Sequence, residues 1–227
     1  HTGKLRDVFT LAHELGHAMH GHLSQVQKPQ VFSSPLSLAE TASLFNEMLL
    51  SESVMGKLTD EEKVHFLEKK LEDIFATIFR QIQYVLFEKR VHEKVFEGKE
   101  LTYEDFNVMW REEQVKLLGD GVKFDTGPES EIGWATIPHI FNVPFYCYTY
   151  AFGNLLSFAL YERYSNEGKE FIEKYKDILR SGGSKSPYEL LIENGFDIKS
   201  AEFYRKGLSV IESLINQFDE LVSKSIK

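Results

Sequence analysis

Apolar residues recur at intervals of three and four along most of the chain, the period of a helix with one apolar side. The pattern opens with Leu5, Val8, Leu11, Ala12, Leu15 and Met19 and predicts a first helix from about Lys4 to about Leu23, with that side against a core. Pro29 and Pro35 interrupt the period, and Ser34 or Ser37 offers an N-cap for a second helix from about Leu36 to Met55. Thr59, Asp60, Glu61 and Glu62 form a capping-box pattern ahead of a long amphipathic helix. That helix runs through Val64, Leu67, Leu71, Ile74, Ile78, Ile82 and Leu86 and stops near Gly98. Thr102 opens another, to about Leu118. Further helices are expected after Pro144, around 169–179 and 187–192, and over about 200–222. Strand alternation is nearly absent. The expected fold class is therefore mainly α, as one all-α domain over residues 1–227.

Composition narrows the function classes. With 227 residues and 42% hydrophobic content, the chain can bury a substantial core. A net charge of -9 leaves no basic stripe to displace counterions from phosphates, which argues against a nucleic-acid partner or a polyanionic substrate. No apolar run approaches the roughly 20 residues of a membrane span, and no signal-peptide pattern opens the chain, so no membrane partner is expected. The single Cys147 excludes an intramolecular disulfide and fits a reducing, cytoplasmic setting. Helical spacing is already under way at Leu5, so the chain reads as a fragment of something longer.

The first helix carries His13-Glu14-Leu15-Gly16-His17, an HExxH pentapeptide. Positions i and i+4 lie one above the other on a helix face, so the two imidazoles can converge on one zinc ion. Glu14 lies about 100° round from His13, placed to reach a zinc-bound water as general base without ligating the metal. Gly16 costs a helix interior about 1 kcal/mol relative to alanine, which predicts close approach of another backbone or of the metal. On the second helix Glu40 and Glu47 are seven residues apart and share a face that also carries Ser43. A His2Glu site needs one carboxylate from a second element, and Glu40 is the choice for it. Glu47 then suits a supporting role, accepting the remaining N–H of a ligating histidine. His65 and His92 have no partner at ligand spacing and are read as surface residues.

Gly119 to Pro128 is a glycine-rich break without phosphate-loop spacing, read as an active-site loop or connector. In the segment EIGWATIPHIFNVPFYCYTYAFGNLLSFALY, His139 stands between two prolines and Tyr146, Tyr148 and Tyr150 follow closely. A helix after Pro144 would make Tyr146 and Tyr150 neighbours and turn Tyr148 elsewhere. Aromatic packing and a functional role are both open for these tyrosines.

With HELGHAMH, ETASLFNE, WATIPHIFNVPFYCYTYAFG and GGSKSPYELLIENGFD in that order, the chain resembles the M3 family of zinc oligopeptidases, and within it the oligoendopeptidase F group. The resemblance covers nearly the whole chain. It implies a multi-helix, zincin-like catalytic domain, the C-terminal portion of such an enzyme, lacking the N-terminal helices that build the opposite wall of the family's substrate channel. It implies Zn2+ held by His13, His17 and Glu40, with Glu14 as catalytic base and acid. It also implies that His139 and Tyr150 bind substrate and stabilise the oxyanion. The spacing from His139 to the tyrosines differs by about one residue from the thimet-type pattern, so Tyr146 or Tyr148 could share that substrate-binding role. His20, seven residues beyond His13, is a rival third ligand. The implied activity is zinc-dependent endoproteolysis of short peptides, with the absent N-terminal part of the same polypeptide as a partner. A dipeptidyl carboxypeptidase or carboxypeptidase using the same site is the alternative within enzymes. A helical scaffold with a vestigial metal site is the alternative outside them.

Overall fold

The computed structural model describes residues 2–124 and 131–225, and among them all regular structure is helical. In chain order the helices are α1 (Leu5–Ser24), α2 (Leu36–Ala39), α3 (Thr41–Met55), α4 (Asp60–Ile74), α5 (Arg80–Phe96) and α6 (Tyr103–Leu118). They are followed by α7 (Pro138–Asn142), α8 (Tyr148–Glu167), α9 (Lys169–Arg180), α10 (Pro187–Glu193) and α11 (Ala201–Ser225). The mainly α class is as expected. None of these helices is long and apolar enough to cross a membrane. The chain divides into two compact units, one of His1–Asp73 with Phe152–Lys227, the other of Ile74–Ala151.

In the first unit the core forms where α2 and α3 meet α8, α9 and α10. Leu38, Ala42 and Phe45 pack with Leu156, Leu160, Phe171, Leu179 and Leu191, all nearly or fully buried. Phe45 stacks on Tyr175 with ring centroids 4.4 Å apart. The sharply amphipathic α9 explains its share of that core, since Phe171, Tyr175, Ile178 and Leu179 follow the i, i+4, i+7, i+8 spacing of one helix side.

Two expectations fail here, each for a physical reason. The apolar side of α1 reaches the core only at its C-terminal end, where Met19 and Leu23 pack, because Leu11 and Leu15 are 54% and 55% exposed and Leu5 and Val8 are also open. The buried residues of α1 are Gly16, His20 and Ser24. Gly16 decides this, for a Cβ there would stand 2.5 Å from the carbonyl oxygen of Ala42 and 2.5 Å from the Cα of Ser43. Hence α1 and α3 touch backbone to backbone, which no larger residue permits. The second departure is that 36–55 is not one helix. Glu40 leaves helical geometry at φ -89°, ψ 2°, and separates α2 from α3.

The close crossing at Gly16 makes a prediction about stability. Alanine would gain about 1 kcal/mol of helix propensity. It must also open a backbone-to-backbone contact, and overpacking costs typically 1–3 kcal/mol, more where no flexible side chain can yield. Repulsion wins, so Gly16→Ala is expected to lower the melting temperature by several degrees and weaken metal binding. An unchanged melting temperature would show that the helices can part without cost.

The second unit begins within the long helical span expected over 59–97. Its ends match expectation, with Thr59 and Glu62 exchanging capping hydrogen bonds and Gly98 at φ 79° closing it. Its middle does not, because Phe75–Phe79 is a π-helical turn in which the Arg80 N–H reaches back to the Phe75 carbonyl. The Gln81 side-chain amide donates to the Ala76 carbonyl at 3.4 Å, covering part of the displaced ladder. A small core of Phe87, Met109, Trp110 and Ile137 joins α5, α6 and the approach to α7. Thr102 and Asp105 cap α6 reciprocally. Residues 125–128 of the expected glycine-rich loop lie outside the described residues; Gly119–Gly121 form a single 3-10 turn.

Candidate metal centre

On α1, His13 and His17 project from successive turns, their rings 4.8 Å apart and nearly perpendicular. The break at Glu40 turns its carboxylate toward both rings. Glu40 Oε2 lies 3.2 Å from His13 Nε2 and 3.3 Å from His17 Nε2, and the two Nε2 atoms are 3.1 Å apart. Buried Ser43 donates to Glu40, its Oγ 2.7 Å from Oε2 and 3.0 Å from the main-chain oxygen, which fixes the orientation of the side chain. Asn46 donates to the Ala12 carbonyl and ties α3 to α1 beside the histidines.

His13 Nδ1 lies 2.6 Å from Glu47 Oε1, which holds the ring with its Nε2 turned toward a carboxylate oxygen and a second imidazole nitrogen. Two imidazoles and a carboxylate are donors that suit a metal ion, and donors arranged tetrahedrally at about 2.0–2.1 Å from such an ion lie roughly 3.3–3.4 Å apart. The observed separations of 3.1–3.3 Å are those expected of three groups that would share one such ion.

His13, His17 and Glu40 are the group among the described residues whose ligand atoms converge in this way. His20 does not join them; it is buried on α1, where desolvation, and secondarily His17, lowers its pKa. Glu14 is exposed on the neighbouring side of the helix.

Behind Glu47 lies a second layer that the sequence pattern did not disclose. Lys70 of α4 donates to Ser51 Oγ at 2.7 Å, and Ser51 donates to the Glu47 carbonyl at 2.7 Å. Burial pushes the Lys70 ammonium down to about 8, against the opposing pull of Glu47 and Asp73.

In the second unit, His139 of α7 and Tyr146 stack in parallel, ring centroids 5.5 Å apart and planes 5° from one another. Tyr150 stands edge-on to Tyr146 at 5.4 Å, and its hydroxyl is 3.3 Å from His139 Nε2. The helix expected after Pro144 starts only at Tyr148, so Tyr146 meets Tyr150 from a loop rather than from the preceding helical turn. Tyr148 is 47% exposed and stands apart from the trio. His92, expected at the surface, packs on Phe145 at 4.9 Å, whereas His65 is exposed near Glu68.

Comparisons with known proteins bear on both segments. Residues 4–210 match the model of peptidase family M3. The chromosomal oligoendopeptidase F of Lactococcus lactis subsp. cremoris is 33% identical over 226 residues, 99% of this chain but 37% of that protein. Among solved structures, a candidate peptidase from Chlamydophila abortus superposes with a TM-score of 0.90 at 36% identity, covering 97% of this chain and 37% of the other. Oligoendopeptidase F from Enterococcus faecium gives 0.84 at 29% identity, covering 97% and 40%. The chain thus spans little more than a third of the relatives it matches. Because the family match runs unbroken from α1 through the histidine–tyrosine segment and into α11, the chain belongs to peptidase family M3.

Proposed function

We propose that the chain is the catalytic portion of a zinc-dependent metalloendopeptidase that hydrolyses internal bonds of short peptides. The observation that carries this reading is the convergence of His13, His17 and Glu40 on a triangle sized for a tetrahedral ion. Zinc bound there supplies a Lewis acid toward water and the scissile carbonyl. Glu14 takes the proton from water as the water oxygen attacks the carbonyl carbon, and later delivers that proton to the departing amine. His13 and His17 are held for this by α1, and His13 is further fixed by Glu47. His139 and Tyr150 bind substrate and donate to the developing oxyanion, where one such donor is worth about 3 kcal/mol. The stacking of Tyr146 on His139 supports a share in that role for Tyr146. A further segment of the same polypeptide, present in the longer relatives, would complete the substrate walls. Cys147, a free thiol, suits a cytoplasmic setting.

Endoproteolysis needs no free terminus on its substrate, whereas a carboxypeptidase needs a cation to receive the terminal carboxylate. The full-length protein with zinc is therefore expected to cut an internally quenched peptide blocked at both ends about as fast as its unblocked counterpart. A loss of cleavage of more than about ten-fold on amidating the C-terminus, equivalent to roughly 1.4 kcal/mol of terminal recognition, would favour a carboxypeptidase instead. No cleavage of either peptide by zinc-loaded protein would point to a non-catalytic scaffold.

A further inference from the structure

Phe145 adopts φ 58°, the one positive φ found among described residues other than glycine. A left-handed backbone at a residue with a Cβ is strained and persists only where its surroundings impose it. Here the Phe145 N–H donates at 2.8 Å to Oε1 of Glu88 on α5, a side chain only 2% exposed. No lysine or arginine among the described residues pairs with Glu88. A buried carboxyl group without a lysine or arginine partner is expensive in a scaffold, and an apolar residue would fill the same space at lower cost.

The position of Phe145 explains the expense. Directly after it comes Tyr146, which leaves the loop to stack on His139 and meet Tyr150 edge-on. Were the Phe145 peptide to relax to negative φ, the chain would leave it in another direction and Tyr146 would lose both ring contacts. We infer that Glu88 is a positioning residue for the proposed catalytic segment, fixing through the Phe145 amide the geometry of His139, Tyr146 and Tyr150. This rests on the reading of His139 and Tyr150 given above, and it assigns Glu88 no contact with substrate.

The test uses the full-length, zinc-loaded protein and a quenched peptide, with kcat, KM, zinc content and melting temperature measured for each variant. Glu88→Gln keeps an oxygen that accepts the amide and is expected to stay within about three-fold of wild type. Glu88→Leu removes the acceptor, and Glu88→Asp, one methylene shorter, withdraws it; both are expected to lose kcat by roughly ten-fold or more with KM and zinc little changed. The milder Glu88→Asp carries the comparison if Glu88→Leu does not fold. A kcat within two-fold of wild type for Glu88→Asp and Glu88→Leu would overturn the inference. So would an equal loss in Glu88→Gln accompanied by a falling melting temperature, since that would mark a structural role. Tyr150→Phe separates the two layers of argument. If it loses turnover while Glu88→Leu or Glu88→Asp does not, the inference alone fails; if it keeps full turnover, the reading of the aromatic trio fails and the inference with it.

Discussion

Glu14→Gln is expected to retain zinc and to lose about 10³-fold or more in turnover, the scale set by removing a positioned general base. The two halves of this expectation have separate causes. Zinc should stay because Glu14 is not among the converging donors, and glutamine matches glutamate in size and helix propensity. The triangle of His13, His17 and Glu40 is held by Ser43, Glu47 and the α1–α3 contact at Gly16, none of which involves Glu14. Turnover should fall because an amide cannot accept a proton from water at neutral pH, nor carry one to the leaving amine. The measurement is kcat on a quenched peptide beside zinc content by elemental analysis, both on the full-length protein. Zinc lost along with activity would make Glu14 part of the metal centre. Near-wild-type turnover would remove it from the chemistry altogether.

The helix ends that the sequence discloses are those written in local chemistry. Thr59 with Glu62 and Thr102 with Asp105 form reciprocal caps between residues three apart, and Gly98 ends α5 by taking a conformation other residues avoid. What periodicity cannot say is which side of a helix faces inward. It groups Leu5, Val8, Leu11 and Leu15 correctly on one side of α1, yet the side that packs on α3 is the one with Gly16, His20 and Ser24. Backbone approach at Gly16 outweighs the leucines, and only the presence of glycine in mid-helix hints at it. The interruption at Glu40 is harder still, since neither proline nor glycine marks it. Its support is a hydroxyl three residues on, Ser43, whose sequence neighbourhood reads as ordinary helix.

The site divides in the same way. HExxH is legible because i and i+4 are close on any helix, whatever the fold. Whether Glu40 or His20 meets those histidines depends on how α3 crosses α1, which no local pattern encodes. Lys70 stands three residues after buried Leu67 and four before buried Ile74, so the helical period alone puts it on the inward side of α4, but that it meets Ser51 there depends on how α4 packs on α3. Phe145 belongs to this class too, for nothing about a phenylalanine after Pro144 announces a left-handed peptide held by a carboxylate 57 residues earlier.

Glu40→Ala is the substitution expected to act most strongly on zinc itself. Outer partners of metal ligands typically contribute 10–100-fold to affinity, which is the loss expected for an acceptor in the place of Glu47. Glu40 stands nearer, with one oxygen within 3.3 Å of both imidazole nitrogens, so its removal is expected to exceed about 100-fold, leaving a two-histidine site. The helix break should survive the change, because the Leu44 N–H and the Ser43 hydroxyl both reach the main-chain oxygen at position 40, which alanine keeps. A weakened site also loses the stability that ligation adds, about 2.7 kcal/mol when free zinc stands at 100 times the dissociation constant. Melting temperature should therefore rise with added zinc in the wild type and barely move in Glu40→Ala, while the zinc-free proteins melt together. Full retention of zinc by Glu40→Ala would transfer the third position to His20 or another group, and His20→Asn in that background would then decide between them. If zinc-free Glu40→Ala melted far below zinc-free wild type, the carboxylate would be holding α1 to α3, and its proximity to the histidines would be architecture before it was chemistry.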